Sequence, residues 1–139
     1  MATPELQVLL DGAAPPATMN LARLQSLPQS TVELVLRSGA VEQWRGVAVP
    51  EILKAAGLDL AANLGGGFVA RRALVARAAD GYAAVFALAE LDPRFGRKPP
   101  LVAWAAPDGS SLAANRGPLL LLSAEDPRAS RGVRQLQSL

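Results

Sequence analysis

The chain has 139 residues, half of them hydrophobic, with no cysteine and no histidine. A single domain with an aliphatic core follows, because a chain of this length buries about 70% of its unfolded surface without a disulfide or metal staple. Fourteen Lys and Arg against twelve Asp and Glu leave a net charge of +2, which argues against a general nucleic-acid binder, and the missing thiol and imidazole remove the usual zinc ligands and the usual bases of nucleophilic catalysis.

Only Lys54 and Lys98 of the cations are lysine. The arginines carry planar, permanently charged guanidiniums suited to bidentate contact with phosphate or carboxylate. The longest apolar runs, such as Leu101 to Ala106 and Pro118 to Leu122, fall far short of the roughly 18 residues of a membrane span, so no membrane insertion is expected. Residues 1–12 lack the charged start, apolar stretch and cleavage site of a secretory signal.

In chain order, Leu6, Val8 and Leu10 read as a short strand ending at Asp11-Gly12. Asn20 is placed to cap a helix over Leu21 to Leu27, stopped by Pro28. Thr31 to Arg37 alternates as a strand, Ser38-Gly39 turns it, and a second strand runs through Val41 to Arg45. Pro50 at a first turn and Gly57 as terminator give a helix over residues 50–56. Asn63 to Gly67 is a glycine-rich loop. Leu74 to Ala78 and Tyr82 to Ala87 read as strands joined at Ala79-Asp80-Gly81, followed by a helical turn to Leu91. Asp92 to Pro100 is a surface loop, Leu101 to Ala106 a strand, and Pro107-Asp108-Gly109 a turn. Leu119 to Leu122, apolar throughout, fits a strand buried on both faces. Arg128 to Gly132 is a loop or helical turn, and Val133 to Leu136 a last strand. Short strands mixed with short helices, without regular alternation, predict an α+β class with a mixed sheet.

Several local patterns have plain readings. Gly65-Gly66-Gly67 lacks the lysine and hydroxyl residue of a P-loop and reads as a flexible connection. Glu90 with Asp92, and Glu125 with Asp126, sit in turns as solvated caps. No dense Asp/Asn/Gly loop supplies a calcium site. The arginines are the remaining chemical resource, above all Arg128, Arg131 and Arg134, whose spacing of three lets them converge on one anion.

An ordered series of motifs resembles the oxidoreductase molybdopterin-binding domain found in sulfite oxidase and its bacterial relatives. Trp44-Arg45-Gly46-Val47, the helix from Pro50 to Ala56 and Gly57-Leu58 are similar to its W-x-G-V/x-L-x-x-L-L-x-x-A-G-L pattern. Asp80-Gly81-Tyr82 resembles its D-G-Y turn, with Ala89-Glu90-Leu91 following. Leu101 to Trp104, Asp108-Gly109, Leu112 and Gly117-Pro118-Leu119 are similar to its apolar strand, N-G-x-P-L turn and G-x-P-L-R segment. Arg131-Gly132-Val133-Arg134-Gln135-Leu136 resembles its closing R-x-V-K-W-L. The likeness runs from about Leu6 to Leu139.

What the resemblance implies is a compact α+β domain of the sulfite-oxidase type, one domain over 1–139, with a cleft for a pterin cofactor. Arg131 and Arg134 stand where the family places cationic contacts to the cofactor, Asp80 and Tyr82 shape the turn beside the site, and Arg116 and Arg45 complete the candidate set. The departures point the other way. The stretch Val35 to Glu42, where the family carries its molybdenum-ligating cysteine, offers only Ser38; the arginine of G-x-P-L-R is Leu120, and the closing tryptophan is Gln135. The expectation is therefore a binding or accessory module for an anionic small molecule or partner protein, with molybdopterin as the cofactor the family implies, without molybdenum. Two alternatives stand beside it. One is an active oxidoreductase using an unusual metal ligand such as Ser38; the other is a protein–protein module, for which the exposure of Trp44, Trp104 and Phe95 is decisive. Small relatives of this family are frequently exported, so the resemblance implies the periplasm, with the cytoplasm as alternative.

Overall fold

The computed structural model describes residues 4–10, 16–36, 38–60, 71–91, 98–123 and 132–139. The chain begins with β1 (Glu5–Val8), whose Leu6 and Val8 are buried, and pairs it antiparallel with β2 (Ala17–Asn20). Asn20 ends β2 and caps α1 (Leu21–Ser26), its side-chain oxygen accepting from the Arg23 N–H at 2.9 Å. The Gln29 side chain then donates to the Leu27 carbonyl at 2.8 Å, satisfying a carbonyl just past the helix end before β3.

β3 (Ser30–Val35) and β4 (Val41–Ala48) form a hairpin. Pro50 occupies the first turn of α2 (Val49–Ala55), which buries Val49, Ile52 and Leu53. Gly57, at φ 112°, closes it, the Leu58 N–H reaching the Leu53 carbonyl at 2.8 Å and the Gly57 N–H the Lys54 carbonyl at 3.1 Å. β5 (Ala73–Ala78) and β6 (Ala83–Ala87) form a second hairpin that runs into one turn of 3-10 helix, Leu88–Leu91. Three short strands follow: β7 (Leu101–Ala103), β8 (Leu120–Leu122) and β9 (Leu136–Ser138).

These strands build two sheets, β2-β1-β9-β5-β6 and β3-β4-β7-β8. All pairings are antiparallel except β1 with β9. The architecture is the mixed α+β class that the residue pattern predicts. The larger hydrophobic cluster takes Leu6, Val8, Leu74 and Phe86 from the first sheet, Val47, Val102 and Leu121 from the second, and Leu24, Ile52 and Leu53 from the helices. A second cluster, with Val32, Trp44, Leu101 and Leu122 at its centre, lies on the other face of the second sheet. β7 and β8 are therefore buried on both faces, which explains why Leu120–Leu122 has no polar alternation.

Several bounds differ from the sequence reading. β2 falls on residues of which the sequence reading placed only Asn20, as the cap of the helix that follows. β4 runs three residues past Arg45, because Val47 and Ala48 pair with Val102 and Leu101 of β7. β7 stops at Ala103, since the chain folds into the turn where the Ala106 N–H reaches the Ser110 carbonyl at 2.9 Å. The last strand lies two to three residues later than expected. Val133 makes only a bridge to Leu121, Gln135 takes a positive φ of 51°, and the ladder begins at Leu136. The Gly65-Gly66-Gly67 loop and the acids Asp92, Glu125 and Asp126 lie outside the described residues.

Candidate functional site

The β5–β6 turn is built by the residues that named it. The Asp80 carboxylate accepts from the Tyr82 N–H at 2.9 Å. Gly81 sits at φ 91°, where a side chain is strained. The Ala78 N–H donates to the Tyr82 carbonyl at 2.8 Å, closing the hairpin. Tyr82 is 46% exposed, so its ring stands over the surface rather than in the core.

Gln135 brings the distant end of the chain to this turn. Its N–H donates to the Arg116 carbonyl at 2.9 Å, its carbonyl accepts from the Ala79 N–H at 3.0 Å, and its side chain donates to the Ala114 carbonyl at 3.0 Å. Held by three segments, Gln135 fixes the preceding Arg134 beside the turn. The result is a cavity of about 280 Å³ lined by Asp80, Tyr82, Gly132 and Arg134. Asp80 and Arg134 are 54 positions apart in the sequence, and only the fold brings them to one place.

The other candidates are distributed elsewhere. Arg116 turns its guanidinium over the ring of buried Trp44, 5.3 Å from the centroid, and its Nε is buried with no hydrogen-bond partner among the described residues. Its backbone carbonyl accepts the hydrogen bond from the Gln135 N–H, next to Arg134. Arg45 lines a different cavity of about 380 Å³, with Trp104, Gln25, Gln29 and Gln43. Ser38 is exposed on the β3–β4 turn, its hydroxyl accepting from the Ala40 N–H at 3.4 Å. Arg131 and Arg128 lie outside the described residues. Of the aromatic probes of a docking face, Trp44 is 1% exposed, Trp104 is partly buried and packed against the larger cluster, and Phe95 lies outside the described residues.

Two features escaped the sequence reading. One is the wall of amide side chains around Trp104, assembled by α1, β4 and the turn after β7, with no local signature. The other is a cavity of about 550 Å³ whose lining includes Arg71, Arg72 and Arg77; the pair Arg71-Arg72 just before β5 and Arg77 within it are its signal in the sequence. In the turn beside Trp104, the Ser110 hydroxyl and N–H both donate to Asp108, at 2.6 and 2.9 Å. Those bonds, the hydroxyl's first, hold the Asp108 carboxyl below its ordinary value. Among the described residues no three carboxylates converge as a metal site would require, and no helix is long and apolar enough to cross a membrane. Comparison with protein-family models and with curated proteins gives no match to this chain.

Proposed function

We propose that the chain is a sulfite-oxidase-like molybdopterin-binding-fold domain that has lost the molybdenum centre and serves as a binding or accessory module for a small anion. The observation that carries this reading is the convergence of Asp80, Tyr82 and Arg134 on one cavity, since these residues belong to the two motifs, D-G-Y and R-x-V-K-W-L, that the resemblance assigns to the cofactor site.

The side chains present do not fit a metal centre. Asp80 is the single carboxylate in the described lining of the cavity, and the chain has no thiol with which to hold a soft metal. Arg134 offers a guanidinium to phosphate or carboxylate oxygens, Tyr82 adds an aromatic face with a hydroxyl, and Gly132 leaves the backbone open to close approach. Asp80 keeps its negative charge on one side of the cavity, so an incoming anion is held from the other side, by the Arg134 fork.

Calorimetric titration with inorganic phosphate and with a pterin monophosphate tests this. Arg134→Ala is expected to weaken binding ten- to a hundred-fold, the equivalent of one charged hydrogen bond of about 1.5–3 kcal/mol. Unchanged affinity in the Arg134→Ala and Arg131→Ala variants overturns the ligand assignment. Elemental analysis of protein produced in a molybdenum-competent host separates the oxidoreductase alternative: stoichiometric molybdenum supports it and refutes the accessory module.

A further inference from the structure

The cavity that holds Arg45 lies where the core face of the second sheet runs out. On β4 the side chain of Val47 enters the larger hydrophobic cluster. Arg45 and Gln43, two and four residues before it, follow on the same face and are exposed. Val47 pairs with Val102 of β7, and two residues further along that register Arg45 and Trp104 line one cavity of about 380 Å³. β7 ends at Ala103, so residues 104–109 leave the ladder and form one wall. The other wall is the end of α1, where Leu24 and Leu27 are buried and Gln25 and Gln29 are left to the cavity. This lining belongs to the described segments 16–36, 38–60 and 98–123.

The hydrogen bonds already made around the cavity define what it has left to offer. The Gln29 Nε2 donates to the carbonyls of Leu27, Leu24 and Gln25 at 2.8, 3.3 and 3.4 Å, and the Gln43 Nε2 to the Glu33 carboxylate at 3.5 Å. Carbonyls and carboxylates only accept, so both amides are oriented and each keeps its Oε1 as an acceptor. The Ala106 N–H bonds to the Ser110 carbonyl and the Gly109 N–H to the Ala106 carbonyl, at 2.9 and 2.8 Å, while Pro107 has no N–H. The turn therefore presents no nest of backbone donors to a phosphate. The Asp108 carboxylate is held on Ser110, and no acidic side chain stands in the described lining. Arg45 is its one cation, a single fork that matches a carboxylate. Trp104 adds an indole, apolar on its face and a donor at its N–H.

We infer that this cavity binds a uronic acid, a sugar ring that carries one carboxylate. The carboxylate meets the Arg45 fork. The ring hydroxyls donate to the Oε1 atoms of Gln29 and Gln43 and exchange bonds with the Gln25 amide, and the C–H face of the ring packs on the Trp104 indole. Each other small ligand leaves part of this wall unmet. A neutral sugar gives Arg45 no anion, and an aromatic carboxylate gives the two amide oxygens no donor. An amino acid brings an ammonium group to a lining without a carboxylate. The volume lies near the lower end of the ~300–1,000 Å³ of ligand pockets, which suits a single sugar unit. The site is separate from the cavity of Asp80 and Arg134 and does not rest on the reading given to it.

The test is a proton–nitrogen NMR titration of the 139-residue chain with the methyl glycosides of glucuronic and galacturonic acid, with the neutral glucoside and galactoside, and with benzoate. Saturable shifts of the Trp104 indole N–H and of the Gln25, Gln29 and Gln43 side-chain amides are expected with at least one uronide. Its affinity should exceed that of its neutral parent and of benzoate at least ten-fold, the scale of one charge-assisted hydrogen bond. Arg45 and Gln43 are exposed, so Arg45→Gln and Gln43→Leu are expected to keep the wild-type spectrum away from the cavity. Arg45→Gln should weaken the uronide at least ten-fold and leave its neutral parent unchanged, whereas Gln43→Leu should weaken both. The inference is overturned if neither uronide shifts Trp104 saturably, if a neutral glycoside or benzoate binds as well as the uronides, or if Arg45→Gln keeps the wild-type preference. Arg134→Ala leaves these titrations unchanged, so their outcome is independent of the phosphate titration.

Discussion

Gln135 shows how one residue organises a site without entering it. Its φ of 51° lies in the left-handed region, which costs an L-residue about 1–2 kcal/mol and is easy only for glycine. The cost is offset by its contacts to Arg116, Ala79 and Ala114. Replacement by alanine removes the side-chain bond to the Ala114 carbonyl and keeps the strain, while replacement by glycine removes both. Gln135→Gly is therefore expected to be more stable than Gln135→Ala by about 1 kcal/mol, as read by urea unfolding. If alanine is the more stable of the two, the positive φ at this position is not a source of strain. The side-chain amide of Gln135 thus satisfies the Ala114 carbonyl from across the fold.

At the level of elements, what the sequence reveals depends on where each hydrogen bond goes. α2 was legible because Pro50 and Gly57 act within the helix itself. The Asp80–Tyr82 turn was legible for the same reason, its defining bond spanning two residues. β2 was not, since its four residues become a strand only by pairing with β1. The late start of β9 was hidden because the partners that shape Gln135 come from residues 79, 114 and 116. The candidate site divides in the same way. Its turn was local, Arg134 was reached through the ordered motifs, and Arg45 and Arg116 were separated from it by the course of β4 and by the stacking on Trp44.

The extension of β4 has its own requirement. A side chain at Gly46 would overlap the carbonyl of Val102 and come within 3.1 Å of the Ala103 Cα. Backbone cannot rotate out of the way as a flexible side chain does. Gly46→Ala is expected to cost about 3 kcal/mol, at the upper end of overpacking, through separation of β4 from β7. A loss below about 0.5 kcal/mol in urea unfolding contradicts this close approach. The glycine of the W-x-G motif thus serves the junction of strands rather than a ligand.

On the scale of the molecule, the short segment 133–136 ties the two sheets together. Val133 exchanges hydrogen bonds of 2.9 and 3.0 Å with Leu121 of the second sheet, and three residues later Leu136 enters β9 at the centre of the first. The larger hydrophobic cluster draws on both sheets, so each sheet loses that core if the other comes away. Unfolding should therefore be a single cooperative step, as expected of a domain of this size. Trp44 provides a reporter in the second sheet, 1% exposed, and Trp104→Phe isolates its fluorescence. In that background Leu136→Ala, which removes a 4% exposed side chain from the first sheet, is expected to lower stability by about 2–4 kcal/mol. The Trp44 transition and the far-ultraviolet dichroism should move to lower urea together, by the same amount and with unchanged slope. A Trp44 transition that stays in place while the dichroism shifts would mean that the second sheet stands on the Trp44 cluster alone, and that the segment from Val133 to Ser138 joins two independent units instead of closing one.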